Sequence, residues 1–257
     1  MNDKRLDTLF INIDEIIAAK ELQAYYQPVY DLKERKIVGL EALARIVKKN
    51  GEVVPPGRFI PFLEESKDAL KLDWAILEDV CSHLAEMKKK GLQLVPVSIN
   101  FSKMHAIEQD FLDKLCKIVD KYGIDHNLII LEVTEESLEY YADDAKYLVN
   151  CIKENGFKLS VDNFGTGISS LSFIRETPFD ILKIDRSIVA MSEYSLKDRI
   201  IIKTMIELGE ALGAVVVLEG IETSAQLEEL RGLGCKKAQG FLLSKPMNVA
   251  SLYGCLK

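Results

Sequence analysis

The feature that most constrains the fold of this chain is a short, mostly β-branched run that recurs eight times and ends each time in a polar side chain. The runs end at Gln27, Glu41, Asn100, Glu132, Asp162, Lys183, Glu219 and Gln239. Several of them, such as residues 128–133 and 214–218, are apolar enough to be buried on both faces, and helical patterns separate most of them. This alternation predicts an α/β fold, a TIM-like (β/α)8 barrel, in which the polar strand ends gather at one face.

The chain is predicted to have two parts. Residues 1–22 are expected to form an N-terminal amphipathic helix, because leucine, isoleucine and phenylalanine recur there at helical spacing. Residues 23–257 are expected to form the barrel domain, whose length is close to the roughly 250 residues of a typical (β/α)8 barrel. The first two runs, residues 23–30 and 36–45, are joined by a turn too short for a crossover helix. The first strand is therefore expected to run antiparallel to the second.

The remaining strands and helices are predicted to alternate. The strands are expected at residues 95–100, 128–133, 159–163, 181–184, 215–219 and 238–241, and the helices at residues 59–65, 70–90, 110–122, 142–155, 197–212 and 224–233. Asn-Gly and Pro-Pro pairs within residues 48–57 predict a loop there.

Charge and composition argue against several classes of function. The formal net charge of -7 would repel a polyanion, and no stripe of basic and aromatic residues offsets it, so binding of duplex nucleic acid is not expected. No apolar run approaches the roughly 18 residues of a membrane span, and the charged N-terminal stretch lacks the features of a secretion signal. Membrane insertion is therefore not expected. The five cysteines form no CxxC pair, which favours reduced thiols in a cytoplasmic protein.

Oxygen ligands from five different strands indicate a site for a hard metal ion. The candidate ligands are Glu41, Asn100, Glu132, Asp162 and Glu219. Carboxylate and amide oxygens are the donors that Mg²⁺ or Mn²⁺ prefers, and the three histidines have no partner at the spacing of a zinc site. Taken singly, each acid is also compatible with a solvated strand end or a cap for the next helix. The set as a whole favours the metal site.

Three further features lie beside these ligands. Lys183 stands in an apolar run, where a lysine is costly unless it faces a polar barrel mouth; a structural ion pair across the barrel is the alternative interpretation. The glycines within residues 162–167 indicate backbone that turns tightly beside a ligand. Glu219 and Glu222 are close in sequence, so one is expected to bind metal while the other caps the helix that begins near Ser224.

Taken together, these motifs resemble those of the EAL domain, a family of phosphodiesterases that hydrolyse the bacterial second messenger cyclic di-GMP. The matching segments are Glu41-Ala42-Leu43 with Arg45, Ser-Ile-Asn-Phe-Ser around Asn100, Glu132-Val-Thr-Glu135, Asp162-Asn-Phe-Gly-Thr-Gly, Asp180-Ile-Leu-Lys-Ile-Asp185, Glu219-Gly-Ile-Glu222 and Gln239-Gly-Phe-Leu. They occur in unbroken order across residues 23–247, so a chance resemblance is negligible.

The resemblance implies a role for each matching position. The implied catalytic residues are Glu41, Lys183 and Glu219. A first divalent ion would be bound by Glu41, Asn100, Glu132 and Asp162, and a second by Asp162, Asn163 and Glu219. Contacts to the dinucleotide would come from Gln27, Leu43, Arg45 and Gln239, and supporting roles would fall to Glu135, Asp185 and Glu222.

The implied reaction is hydrolysis of cyclic di-GMP to linear pGpG, with Mg²⁺ or Mn²⁺ as the cofactor and Ca²⁺ as an inhibitor. The resemblance also implies a homodimer that pairs through residues 168–176. One position departs from the family pattern, because the second of two usual aspartates before Phe-Gly-Thr-Gly is Asn163 here. The amide removes one negative charge, so the second ion should bind more weakly. The alternative function is therefore a catalytically weak or inactive domain that binds cyclic di-GMP as a sensor or effector.

Overall fold

The computed structural model describes residues 12–66, 68–102, 105, 108, 110–134, 142–166, 177–189 and 194–256, with the backbone alone for residues 142–146. The strands are β1 (Leu22–Asp31), β2 (Lys36–Val47), β3 (Val53–Val54), β4 (Val97–Asn100), β5 (Ile129–Thr134), β6 (Lys158–Phe164), β7 (Ile181–Ile184), β8 (Val215–Leu218) and β9 (Lys237–Ala238). The helices are α1 (Ile13–Ala18), α2 (Ile60–Glu64), α3 (Asp68–Lys89), α4 (Phe111–Lys121), α5 (Ala142–Glu154), α6 (Arg186–Val189), α7 (Leu196–Ala211), α8 (Ser224–Gly232) and α9 (Val249–Cys255).

The strands close into one barrel. Their order is β1-β9-β8-β7-β6-β5-β4-β2, and β1 also pairs with β2, so the ring contains eight strands. The short strand β3 pairs with the end of β2 outside the ring. β1 is antiparallel to both of its neighbours, whereas the other neighbours in the ring are parallel. The predicted (β/α)8-type barrel with an antiparallel first strand is confirmed.

The hairpin of β1 and β2 is longer than the sequence predicts. Its paired residues run from Leu22 opposite Ile46 to Asp31 opposite Lys36, and Gln27 lies directly opposite Glu41. Alternate residues of β2 remain buried well beyond Glu41, so the pleat continues past it. The strands predicted at residues 23–30 and 36–45 are confirmed, and each extends by one or two residues at its ends. Gln27 and Glu41 both lie within their strands.

The parallel strands are apolar because both of their faces are covered. Ile129, Ile130 and Leu131 are consecutive residues of β5, and each is at most 4% exposed. One face of such a strand lines the barrel interior, and the other packs against the surrounding helices. Helix α3 contributes a long buried stripe to this outer layer, including Leu77 and Val80.

Capping boxes set the N-terminal ends of two helices. Ser195 and Asp198 form a capping box at the start of α7, and Thr223 and Gln226 form another at the start of α8. The predicted helices at residues 197–212 and 224–233 agree with these limits. Helices α6 and α9 were not predicted. Strand β9 is shorter than predicted and ends before Gln239.

The predicted N-terminal helix is described only in part, because residues 1–11 lie outside the described residues. Within the described part, α1 begins at Ile13, whose side chain is buried. The helix ends before Lys20, where the backbone is left-handed with φ at 58°. An ion pair of 2.7 Å between Asp14 and Lys71 joins α1 to α3.

In the part of the chain that the structure describes, no helix is long and apolar enough to cross a membrane. The five cysteines are all free, and Cys81 and Cys235 are buried.

Candidate active site

The register of the strands brings the predicted polar residues to one mouth of the barrel. Asn100 of β4 pairs with Glu132 of β5, and Thr134 of β5 pairs with Asp162 of β6. Glu219 directly follows β8 on the same side of the barrel. Because parallel strands share one direction, the side chains near their carboxyl ends converge at this mouth.

Lys183 lies at the centre of this group of carboxylates. Its side chain is 3% exposed, and its Nζ lies 2.7 Å from both Glu132 Oε1 and Glu219 Oε1. The same atom lies 3.2 Å from Glu41 Oε2 and 3.8 Å from Asp162 Oδ1. One ammonium therefore faces four carboxylates, so the mouth carries an excess of negative charge. The two interpretations of Lys183 from the sequence, a polar mouth and an ion pair, both apply.

The pKa values of these groups reflect their crowding. Burial raises the pKa of Glu132 well above its ordinary value, with neighbouring carboxylates adding to the increase and Lys183 opposing it. Burial also raises the pKa of Asp162, and it raises the pKa of Glu219 to about 7. Burial lowers the pKa of Lys183, but the surrounding carboxylates outweigh this effect and hold that pKa well above its ordinary value. The lysine is therefore charged, and its single positive charge does not neutralise the carboxylates around it.

The donor set fits a divalent metal ion. Glu132 Oε2 and Asp162 Oδ1 are buried and have no hydrogen-bond partner among the described residues, which is unusual for buried polar atoms. Carboxylate oxygens are the ligands that Mg²⁺ and Mn²⁺ prefer. Within the described ranges, no three acidic, histidine or cysteine side chains are already arranged to share one ion. The ammonium of Lys183 lies between the carboxylates of Glu41, Glu132 and Glu219.

Two buried glutamines orient the Glu41 carboxylate. Gln239 Nε2 donates hydrogen bonds to Glu41 Oε2 and, at 3.0 Å, to Gln27 Oε1. Gln27 Nε2 in turn donates to the carbonyl oxygen of Ser244 at 3.0 Å. This chain of amides fixes the orientation of the Glu41 carboxylate on β2.

The two candidate amide ligands lie in different settings. Asn100 is exposed and lines the same cleft as Glu132. Asn163 has a left-handed backbone with φ at 57°, a conformation that Asn and Asp adopt more readily than other residues with a side chain. Its carbonyl oxygen accepts hydrogen bonds from Thr166 N at 3.2 Å and from Thr166 Oγ1 at 2.9 Å. The turn depends on the backbone of residue 163, so either an amide or a carboxylate suits it.

A cleft of about 860 Å³ opens above the mouth. Leu43 of β2 and Pro61 of α2 lie in its wall, and Glu41 and Glu132 lie in its floor. Its volume lies within the range of roughly 300–1,000 Å³ that is typical of small-molecule sites. The cleft therefore gives a ligand access to the carboxylates.

Arg45 lies near this cleft but does not line it. Its Nη1 donates to the carbonyl oxygen of Ala44 at 2.8 Å, and its guanidinium carbon lies 5.9 Å from the centre of the Tyr25 ring. The side chain follows Leu43 by two residues on β2, so both lie on the same face of the strand.

The predicted supporting residues differ in their surroundings. Glu135 lies outside the described residues. Asp185 Oδ1 accepts a hydrogen bond from Ser187 N at 2.7 Å at the start of α6. Its charge adds to the burial that raises the pKa of Asp162.

Glu222 does not cap the helix after β8. Thr223 is the cap, because its side chain accepts a hydrogen bond from the backbone N–H of Gln226. Glu222 is exposed, and its backbone N–H donates to Gln226 Oε1 at 2.9 Å. The prediction that the second acid of the pair Glu219 and Glu222 caps the helix is therefore wrong.

The sequence interpretation missed a buried pair that holds the loop after β4. Asp73 Oδ2 on α3 accepts a hydrogen bond from Ser102 N at 2.8 Å and lies 3.1 Å from His105 Nε2. Both side chains are at most 7% exposed, and His105 Nδ1 also contacts the Glu108 carboxylate. The loop begins directly after Asn100, so the pair restrains the segment that carries this candidate ligand. An acid on the apolar face of a predicted helix was the available signal.

The EAL domain family matches residues 12–246 of the chain. The signaling protein YkoW of Bacillus subtilis (strain 168) is 33% identical over 233 residues, which cover 91% of this chain and 29% of YkoW. The cyclic di-GMP phosphodiesterase NbdA of Pseudomonas aeruginosa is 33% identical over 232 residues, which cover 90% of this chain and 30% of NbdA. The chain thus spans about a third of the length of these relatives.

Solved structures share the barrel. The PaMucR phosphodiesterase in complex with c-di-GMP has a TM-score of 0.87 and 29% identity, covering 93% of this chain and 97% of that chain. The EAL enzyme Bd1971 in its cAMP and cyclic di-GMP bound form has a TM-score of 0.88 and 29% identity, covering 95% of this chain and 67% of that chain. Both likenesses extend over nearly all of the barrel described above.

Proposed function

Because this chain belongs to the EAL domain family, we propose that it is a metal-dependent phosphodiesterase that hydrolyses cyclic di-GMP to linear pGpG. The observation that carries the proposal is the buried ammonium of Lys183 among carboxylates, two of them at 2.7 Å. Strongly perturbed pKa values at one cleft are typical of sites that perform chemistry. The relative NbdA is named a cyclic di-GMP phosphodiesterase, and PaMucR is a phosphodiesterase whose structure contains c-di-GMP.

In this proposal each side chain at the mouth of the barrel has its own role. The nucleotide enters the cleft above Glu41, and one phosphodiester faces the ammonium of Lys183. Lys183 remains charged, so it attracts a phosphate oxygen or orients the attacking water. Gln239 keeps the Glu41 carboxylate in place through its donated hydrogen bond. The oxygen of water bonds to the phosphorus as the bond to the 3′ oxygen breaks, and a proton from the water ends on the 3′ oxygen of the linear product.

The metal ions would be held by the candidate ligands. Glu41, Asn100, Glu132 and Asp162 would hold one ion, and Asp162, Asn163 and Glu219 would hold the second. Bound Mg²⁺ or Mn²⁺ supplies activation of water and neutralisation of charge on the phosphate. Ca²⁺ prefers longer bonds and looser geometry, which is the basis for expecting it to inhibit.

The proposal is tested by incubating the purified protein with cyclic di-GMP and Mg²⁺ or Mn²⁺ and measuring pGpG by chromatography. Hydrolysis is expected, and chelation of the metal should abolish it. Lys183→Arg keeps the positive charge but moves the donor atoms, so it should lower the rate at least about 100-fold. The matched control Lys236→Arg, at an exposed lysine, should leave the rate unchanged. Absence of pGpG with either metal would overturn the proposal.

A second candidate function rests on Asn163. An amide in place of a carboxylate reduces the charge available to a second ion. A domain with that change could bind cyclic di-GMP and pass the signal on without cleaving it. Calorimetry in Ca²⁺ together with the hydrolysis assay separates the two functions, because the sensor would show tight binding and no product.

We also propose that the protein acts in the cytoplasm and pairs with a second copy through residues 168–176. That segment lies outside the described residues. Light scattering at high concentration, with and without nucleotide, tests the pairing, and a strict monomer in both conditions would contradict it.

A further inference from the structure

The barrel contains a second cavity, at the end opposite the candidate active site. Its volume is about 300 Å³, at the lower end of the range for small-molecule sites. Its outer rim includes Pro96, which precedes β4, and Lys158 and Lys237, which begin β6 and β9. Its inner wall includes Glu41, Lys183 and Gln239.

The alternation of side chains explains which residues face this cavity. Residues two apart on a strand lie on the same face. Lys158 precedes Asp162 by four residues on β6, and Lys237 precedes Gln239 by two. Asp162 and Gln239 belong to the candidate active site, so the two lysines face the barrel interior, one layer or more below it.

The cavity exists because small side chains replace the large ones that usually fill a barrel. Gly39 of β2 lies in its wall, and a Cβ added there would meet only Pro96 O at 3.6 Å and Val29 Cβ at 3.8 Å. Ser98 of β4 is another small lining residue. Packed barrels are normally filled by branched aliphatic residues at such positions.

The walls of the cavity combine an apolar lining with unmatched polar groups. Val29, Ile130 and Val217 supply apolar surface. Gln239 is 3% exposed, and its Oε1 is buried without a hydrogen-bond partner among the described residues.

The two rim lysines give the cavity a positive entrance. Among the described residues, no carboxylate oxygen lies within 4.0 Å of the ammonium of Lys158 or of Lys237. Lys237 is close enough to Asp31 to help lower its pKa, after the larger effect of the Glu34 backbone N–H. Asp180, the acid at the rim, is already engaged by the N–H of Leu159 at 2.9 Å and by Lys153.

We propose that this rear cavity binds a small organic monoanion, with its carboxylate between Lys158 and Lys237 and a short aliphatic body along Val29, Ile130 and Val217. The charge of the rim selects an anion, and the apolar walls select an aliphatic chain over inorganic phosphate. Because Glu41, Lys183 and Gln239 form the inner wall, the bound molecule lies against the back of the candidate active site.

The test uses hexanoate as the probe and the full chain in buffer that contains chelator and no nucleotide. Saturable binding is measured by calorimetry and by ligand-observed NMR. Hexanoate should bind at least about tenfold more tightly than hexan-1-ol, which has a similar body and no charge. Inorganic phosphate should bind more weakly than hexanoate.

Variants locate the binding in the rear cavity. The double variant Lys158→Met with Lys237→Met should weaken hexanoate binding at least about tenfold, and the control Lys236→Met should not. Gly39→Val should abolish binding by filling the cavity, whereas Gly57→Val, at a glycine with open space around it, should retain it. Thermal melting verifies that each variant folds.

Equal binding of hexanoate and hexan-1-ol, or hexanoate binding that survives Gly39→Val in a folded protein, would overturn the proposal. Since metal and nucleotide are absent, the result does not depend on whether the chain hydrolyses cyclic di-GMP. Absence of saturable hexanoate binding to the unmodified protein would also contradict it.

Discussion

Asn163 is the residue whose identity bears most directly on turnover, because it lies beside Asp162 where the family usually has a second aspartate. Its left-handed backbone suits either residue, so Asn163→Asp should fold normally. The added carboxylate should favour the second ion, lowering the metal concentration for half-maximal rate and raising the rate. Titration of pGpG formation against Mg²⁺ measures both quantities.

The control for this prediction is Asn50→Asp, in the exposed loop before β3. It adds the same charge far from the mouth and should leave the metal requirement unchanged. An unmodified protein that is already fully active at low millimolar Mg²⁺, with no gain in Asn163→Asp, would show that the amide is a tolerated ligand.

The carboxylates of the mouth should be needed for chemistry and not for folding. Glu41→Gln, Asp162→Asn and Glu219→Gln should each reduce hydrolysis at least about 100-fold. Loss of a residue that hydrogen-bonds to a metal ligand typically costs about 10–100-fold in activity, and loss of the ligand itself should cost more. Each replacement also relieves repulsion among crowded acids, so the thermal midpoint of the metal-free protein should not fall. Product assays and melting curves measure the two effects, and wild-type turnover in any variant would remove that residue from the ligands.

Arg45 should contribute to nucleotide binding without touching the metal ligands. If it contacts a phosphate, Arg45→Ala removes charge-assisted hydrogen bonds that contribute about 1.5–3 kcal/mol each. Calorimetry with cyclic di-GMP in Ca²⁺ should then show affinity at least about tenfold weaker. Arg199→Ala, at an arginine paired with Glu229 on the outer helices, is the control. An unchanged affinity in Arg45→Ala would exclude the contact.

At the scale of elements, the loop after β4 depends on helix α3. Asp73 accepts the backbone N–H of Ser102 and contacts His105, so Asp73→Ala should cost about 1–3 kcal/mol of unfolding free energy. The loop carries Asn100 at its start, so the same variant should raise the metal concentration needed for half-maximal rate. Denaturant melts and metal titrations measure the two effects.

Asp79 provides the matched control for this prediction. It lies on the same helix and accepts the backbone N–H of Ala24 at 2.8 Å, but it anchors β1 and not the β4 loop. Asp79→Ala should therefore lower stability without changing the metal requirement, and Asp73→Asn should recover part of the loss because an amide oxygen still accepts from Ser102. If both alanine variants changed the metal requirement equally, the loop would have no special role.

At the scale of the whole molecule, divalent metal should stabilise the barrel. Four carboxylates face one ammonium, and an ion that binds the folded chain alone adds about 2.7 kcal/mol at a concentration 100 times its Kd. Mg²⁺ or Mn²⁺ should therefore raise the thermal midpoint by several degrees. Differential scanning calorimetry measures the increase, which should shrink in Glu219→Gln. Equal increases in both proteins would indicate metal binding elsewhere.

Local patterns in the sequence predicted the barrel and the polar residues near its strand ends. Hydrophobic period, turn length and capping residues act over short stretches, so they predicted the parallel strands, the antiparallel first strand and the start of α8 near Ser224. The set of acids at strand ends was also visible, because each acid follows its own apolar run.

Contacts among those residues depend on tertiary structure, because they join strands that are far apart in the chain. Lys183 and Glu132 are 51 residues apart, and Gln239 and Glu41 are 198 apart, so their contacts depend on closure of the ring. Cross-strand pairing likewise places Gln27 directly opposite Glu41. The rear cavity and its two lysines arise for the same reason, since the volume inside a barrel depends on side chains from all of its strands together.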